Sequence, residues 1–281
     1  MRTIIAFASL ASALAAVPAA AQDATEDSVL DGDHVTIGVG GIYAPSYRGS
    51  DDYRIAPVPV VQGKVWGVDI NPRAGGVALD FIPDNKDSGI GFSLGPVVTY
   101  SGNRARGIKD PVVKAAGKLD DAVEVGVSAG VTAYKLLSAY DQLTLSADVK
   151  WDVAGAYKGM VWNPSLSYLT PLSKGSFVAI NISARHVDSD FADYYYSVTP
   201  TQSLATGGIL PVYNAKKGWD SANVGLLAGL DLDGNLLNGG LSVFAAGLYG
   251  RMLNDGKDTP FTSIRGDRDQ WTAGLGVGYT F

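Results

Sequence analysis

At 281 residues, 46% hydrophobic and only 18% charged, the chain falls below the roughly 25% charge of ordinary soluble domains. Its 35 glycines and 14 tyrosines favour sheet over helix, and the lack of cysteine excludes disulfides and thiolate metal sites. A net charge of −6 without a basic run argues against nucleic acid as a partner.

Residues 1–21 read as a cleaved secretory signal peptide. Arg2 supplies the charged start, Ile4 to Val17 the apolar stretch, and Pro18-Ala19-Ala20-Ala21 the small residues before Gln22. An uncleaved anchor would need a longer apolar core. Residues 22–33 then form a periplasmic N-terminal segment, and 34–281 the folded body. Past Gln22 no apolar run of about 18 residues occurs, so no transmembrane helix is expected.

The body alternates apolar with small or polar residues, segment after segment, with turn signals between them. The expected strands are 35–43, 54–61, 64–70 (split from its predecessor by Gln62-Gly63), 76–82, 89–100, 123–135, 143–153, 158–170, 177–185, 222–232, 239–251 and 270–281. In 143–153, Leu143, Leu145, Val149 and Trp151 share one face, while Thr144, Ser146, Asp148, Lys150 and Asp152 share the other. Segment 239–251 is apolar on both faces, which leaves its orientation open. The last segment alternates without a break: Trp271, Ala273, Leu275, Val277, Tyr279 and Phe281 against Gln270, Thr272, Gly274, Gly276, Gly278 and Thr280. Aromatic Phe281 at the very end looks like the closing strand of a bacterial outer-membrane barrel, with Tyr279 and Phe281 as the signal read by the barrel-assembly machinery.

Parity agrees with twelve strands. Counted back from Phe281, the long connections 252–269, 186–218, 101–122 and 44–53 fall on the outer side. The short ones, at 233–235, 171–174, 137–141, 83–87 and 62–63, fall inside, the asymmetry expected of such barrels. Ten strands is the alternative, because Pro57 and Pro59 remove ladder donors from the second segment, and the second and third segments are the weakest of the series. A soluble sandwich or lipocalin-like barrel would turn the greasy faces inward. Here the opposite faces carry Gly, Ser, Thr and charges, which suits a lumen, so the expected fold is an all-β transmembrane antiparallel barrel in outer-membrane lipid. Trp66, Trp151, Trp162, Trp219, Trp271, Tyr168, Tyr249 and Tyr279 near strand ends fit an aromatic girdle.

Three ordered blocks resemble the MipA/OmpV family of outer-membrane proteins. The first is Tyr43-Ala44-Pro45-Ser46-Tyr47-Arg48-Gly49-Ser50-Asp51-Asp52-Tyr53-Arg54 with Pro57 and Pro59. The second runs Ala192-Asp193-Tyr194-Tyr195-Tyr196-Ser197-Val198-Thr199-Pro200, continuing to Leu210-Pro211-Val212-Tyr213-Asn214-Ala215. The third is Tyr249-Gly250-Arg251-Met252-Leu253 with Asp255, Asp258 and Thr259-Pro260, ahead of the terminal strand. The resemblance implies an envelope scaffold that recruits peptidoglycan-remodelling enzymes, a lytic transglycosylase and a peptidoglycan synthase. It implies no catalytic residue and no cofactor. Alternatives are a narrow channel for small solutes and, less favoured, an outer-membrane lipid hydrolase.

The blocks lie on or beside outer loops. Pro45, Tyr47, Gly49, Ser50, Asp51 and Tyr53 have turn chemistry. Tyr194, Tyr195, Tyr196, Pro211, Tyr213 and Asn214 occupy a loop of some thirty residues, long for an unstructured connection, and so expected to fold over or into the mouth or to meet a partner. Glu124, Asp148, Lys150 and Asp152 point inward on neighbouring strands. They either line a water path or cross-pair and block it, and the mixed signs favour pairing. His186-Val187-Asp188-Ser189-Asp190 holds triad residue types at a strand top but reads better as a polar loop start. Asp231-Leu232-Asp233-Gly234-Asn235 lacks the closing Glu of a calcium loop and reads as a hairpin turn. The Gly-rich runs at 38–41 and 274–276 precede no helix, so they are not nucleotide loops.

Overall fold

The computed structural model describes residues 28–83 and 89–281. The signal peptide over 1–21, the first half of the 22–33 segment and most of the turn at 83–87 lie outside the described residues. Twelve antiparallel strands close into a barrel in chain order, β12 returning to β1. They are β1 (His34–Pro45), β2 (Tyr53–Val65), β3 (Val68–Arg73), β4 (Gly76–Asp80), β5 (Ile90–Ser101), β6 (Ala122–Tyr134), β7 (Gln142–Asp152), β8 (Met160–Ser173), β9 (Ser176–Val187), β10 (Gly218–Asp231), β11 (Gly240–Met252) and β12 (Asp269–Thr280). Among the described residues the five short α-helices, all in outer loops, are α1 (Pro111–Ala115), α2 (Ser189–Tyr196), α3 (Pro200–Ala205), α4 (Asn254–Asp258) and α5 (Pro260–Ser263).

Register sets the two faces. Across the closure, Ile37 lies opposite Tyr279 and Val39 opposite Val277, all outward. With Phe92, Leu145, Ile182, Leu226 and Leu275 they form an exposed apolar belt. Leaving each such side chain in water would cost about 1.5–3 kcal/mol relative to burial, a penalty that acyl chains remove. Inward, Gly38 and Gly40 sit where an added Cβ would come within 2.7 Å of the Val277 and Leu275 carbonyl oxygens. Only glycine allows the strands to pack and curve here. The orientation of β11 is resolved: Leu241 and Tyr249 face out, while Phe244 points inward beside Gly278 and meets Phe177 across Gly229 of β10, ring centroids 6.3 Å apart.

The second and third strands differ from expectation. β2 runs on through Gln62-Gly63, and the turn falls at Trp66-Gly67, both at positive φ (53° and 79°). Gly63 stays in the ladder, opposite Val35 on one side and Ile70 on the other. Pro57 and Pro59 are tolerated because, above Gln62, β2 is laddered to β1 alone. Its pairing with β3 is confined to Gly63↔Ile70, Lys64↔Asp69 and Val65↔Val68. A missing N–H costs nothing on an edge that has no partner to receive it. The sheet thus has an unladdered seam between upper β2 and the β3–β4 hairpin.

Candidate functional site

The buried core of this molecule lies in the outer mouth. Arg104, Phe191, Tyr195, Tyr196, Leu210 and Phe261 are the largest fully buried side chains, and all come from outer loops. Asp188 caps α2 by accepting the Phe191 N–H (2.9 Å), and the helical period then puts Phe191, Ala192, Tyr195 and Tyr196 on one face. That face packs on Tyr157, whose ring meets Phe191 edge-on at 4.9 Å, and on Ala122, Val161, Val187 and Met252 at the strand tops. A second cluster joins Tyr47, Val113, Val198, Leu210 and Phe261. α3 begins with a Thr199–Gln202 capping box and Pro200 at its first turn. Together the loops form a folded plug.

The first and second sequence blocks build that plug. The Tyr47 hydroxyl donates to the Phe261 and Arg265 carbonyls at 3.2 and 3.1 Å, tying loop 46–52 to loop 253–268. Gly49 has φ +89° and packs against Thr262, and Ser50 bridges to Gly266. Asp51 is exposed, and Pro45 ends β1. Tyr53 stacks on Tyr43 at 5.1 Å and accepts the Trp271 N–H. The Tyr194 hydroxyl accepts the Asp120 N–H (2.8 Å), and Thr259 donates to the Tyr196 carbonyl (2.6 Å). Tyr213 pairs with Val198 and donates to Asp255, while Pro211 and Asn214 are exposed. At the opposite end Tyr279 and Phe281 face outward, ring centroids 4.7 Å apart.

Below the plug the lumen charges are paired. Lys150 Nζ lies 2.6 Å from Glu124 and 2.8 Å from Thr99 Oγ1, and the Tyr157 hydroxyl takes the other Glu124 oxygen at 3.1 Å. Asp148 accepts Arg73 Nε at 2.9 Å, and Ser128 receives the same guanidinium. Asp152 sits at the rim, where its carboxylate accepts the N–H groups of Ala154, Tyr157 and Lys158 and folds loop 153–159. A third pair, not singled out in sequence, is Arg185–Asp220. It is bidentate, both residues are buried, and the Tyr196 hydroxyl closes it at 2.6 Å from Asp220. Its residues stand 35 apart on β9 and β10, and the break in register at Asp220, between Trp219 and Ser221, sets its carboxylate beside Arg185.

Arg104 is 1% exposed at φ +58°, with its guanidinium 3.5 Å from the Phe261 ring centroid and Nη1 donating to the Tyr195 carbonyl. Burial depresses its pKa to about 10, with Tyr47, Tyr194 and Tyr195 opposing. Burial and the bond to Asp255 push Tyr213 up to about 12. At Asp110 burial would raise the carboxyl, but the Arg265 guanidinium and the Val113 N–H outweigh it and hold it below the usual range.

The hydrolase and calcium constellations are committed elsewhere. His186 faces outward between Trp162 and Trp219, ring centroids 5.8 and 5.4 Å away. Asp188 is occupied by the Phe191 and Met160 N–H groups. Asp231 folds its own turn, accepting the N–H groups of Asp233, Gly234 and Asn235. Among the described residues no acidic or imidazole cluster could hold a metal ion. A cavity of about 310 Å³ lies under loop 46–52, bordered by Arg48, Arg54, Asn103, Ser221, Asn223 and Gln270.

A family model described as MltA-interacting protein MipA matches residues 37–281. No curated protein matches the chain. Among solved structures, an outer-membrane channel from Pseudomonas putida F1 is 10% identical, with 92% of this chain and 100% of that chain covered, at a TM-score of 0.46. The Pseudomonas putida toluene transporter TodX is 9% identical, with 89% of each chain covered, at a TM-score of 0.38. Outer-membrane expressed OmpT of Vibrio cholerae is 8% identical, with 89% and 97% covered, at a TM-score of 0.35. Likenesses this distant carry no functional argument.

Proposed function

This chain belongs to the MipA family of outer-membrane proteins, and on that premise we propose that it is a non-enzymatic, plugged barrel serving as an envelope scaffold for peptidoglycan-remodelling enzymes on its periplasmic side. The supporting observation is the mouth itself: a folded aromatic plug sits above a lumen whose charges are cross-paired, an arrangement that spends polar groups on closure rather than on a water path. The family description, MltA-interacting protein, names a lytic transglycosylase as the kind of partner.

The periplasmic turns offer contact points. Trp66 stands 90% exposed on the β2–β3 turn, in a left-handed conformation that Asn or Gly would adopt at lower cost. Leu137 is 84% exposed on the turn between β6 and β7. Pull-down of envelope proteins with the mature chain, with a variant lacking 22–33, and with Trp66→Ser and Leu137→Ser tests the proposal. Enrichment of murein hydrolases and synthases that drops with these changes is the expected result; no enrichment by the mature chain sinks it. The narrow-channel alternative differs in one property, steady conductance.

A further inference from the structure

The mouth cavity is electrostatically one-sided. Of the charged residues that border it, Arg48, Arg54 and Arg251, none is acidic. Arg251 points outward and pairs with Asp269 at 3.5 Å, so its guanidinium is spoken for. The Arg48 and Arg54 guanidiniums have no hydrogen-bond or ion-pair partner among the described residues, although Arg48 has a neutral neighbour in Asn103, which accepts its backbone N–H at 3.0 Å. The opposite charges that Arg48 senses are Asp220 and Glu124. Asp220 is held by Arg185 and Tyr196, and Glu124 by Lys150, Thr99 and Tyr157. Arg48 is exposed and Arg54 half-buried, so both guanidiniums meet water in this recess with no counter-charge beside them, and an anion entering it would face two cations at once.

The rest of the lining suits an oxyanion. Asn103, Asn223, Gln270 and Ser221 bring neutral polar groups, and the guanidinium fork matches carboxylate and phosphate geometry. Position adds a source. The cavity wall includes Arg54 at the top of β2 and Ala74-Gly75 at the tip of the β3–β4 hairpin, the two sides of the unladdered seam. Lys109 Nζ reaches across to the Tyr53 carbonyl at the upper end of that seam, adding a third cation beside the opening.

We propose that this cavity is an oxyanion-binding site, in which Arg48 and Arg54 take the phosphate or carboxylate of a lipid headgroup entering at the seam or of a free solute entering from the mouth. The site goes beyond the scaffold reading and stands without it.

The test is calorimetric titration of the mature protein in maltoside micelles with dodecyl phosphate in one arm and inorganic phosphate in the other. Arg48→Gln and Arg54→Gln each remove one fork. Asn223→Asp keeps both arginines and places a carboxylate in the lining, which guards against a variant that loses binding only by misfolding; unchanged heat-modifiable mobility verifies the barrel in every case. Saturable binding weakened at least about tenfold by all three substitutions supports the site. Binding of dodecyl phosphate alone identifies the headgroup as the source, and equal binding of inorganic phosphate identifies a solute. No saturable binding in either arm up to about 1 mM, or binding indifferent to the substitutions, overturns the proposal.

Discussion

Replacing Phe261 with alanine should loosen the mouth and leave the wall intact. The ring is 1% exposed, packs with Tyr47, Val198 and Leu210, and lies under the Arg104 guanidinium at 3.5 Å. Truncating a buried phenylalanine costs about 3–5 kcal/mol through lost transfer energy and the cavity left behind. Part of that figure here is the desolvated cation–π contact, of the order of 2 kcal/mol, so the two are not added. Arg104 would be left with the Tyr195 carbonyl as its sole hydrogen-bond acceptor. The cost falls on the plug because the twelve strands close through their own ladder, independently of Phe261. Hydrogen exchange in micelles reads it directly. The Val198 and Tyr213 amides, which bond to each other's carbonyls at 2.9 and 3.0 Å, should exchange faster by about two to four powers of ten, up to the limit set by existing local opening. Amides in β6 to β8 should not change. Equal acceleration in plug and strands, or none in the plug, would refute the separation of a closed wall from a folded stopper.

Other outcomes follow from the same geometry. Asp220→Ala leaves Arg185 buried and unpaired and should destabilise the protein by about 3–5 kcal/mol in urea unfolding from lipid vesicles, whereas Arg185→Met with Asp220→Leu should come close to neutral. Equal losses in the single and double variants would contradict this. Gly49→Ala forces a side chain into φ +89° against Thr262 and should cost more than about 1 kcal/mol, seen as lost protection of the Asp267 N–H, which bonds to the Gly49 carbonyl. The Asp110 carboxyl has a depressed pKa, so its contribution is complete above the unfolded-chain value and is lost as pH falls through the lower folded value. Acidification should therefore free loop 102–121 from Arg265 only below the ordinary carboxylate range, and Asp110→Asn should abolish that step in a pH series of limited proteolysis.

The wall was legible in sequence because a lipid-facing strand writes its environment locally, one apolar residue in every two. The terminal run from Trp271 to Phe281 shows it at its clearest. The misplaced β2–β3 turn shows the limit of that reading. Gln62-Gly63 has turn composition, yet Gly63 keeps its place in the ladder while Trp66, a poor turn residue by composition, takes the positive φ. Pairing with β1 through His34↔Lys64 overrides local preference there. The plug was less legible because its contacts span the chain: Tyr47 with Phe261 and Arg265, Asp110 with Arg265, Arg185 with Asp220. Some of it carried a local signal that periodicity alone could have caught. Asp188 as a cap and the spacing of Phe191, Ala192, Tyr195 and Tyr196 spell a short amphipathic helix within the long loop.

Recording current across a planar bilayer that holds the mature protein tests the central claim most directly, that the outer mouth is stopped by its own folded loops. The account predicts a quiet membrane for the native chain and discrete current steps once residues 189–215 are replaced by a short Gly-Ser linker. Stable, ohmic steps from the native chain would contradict it.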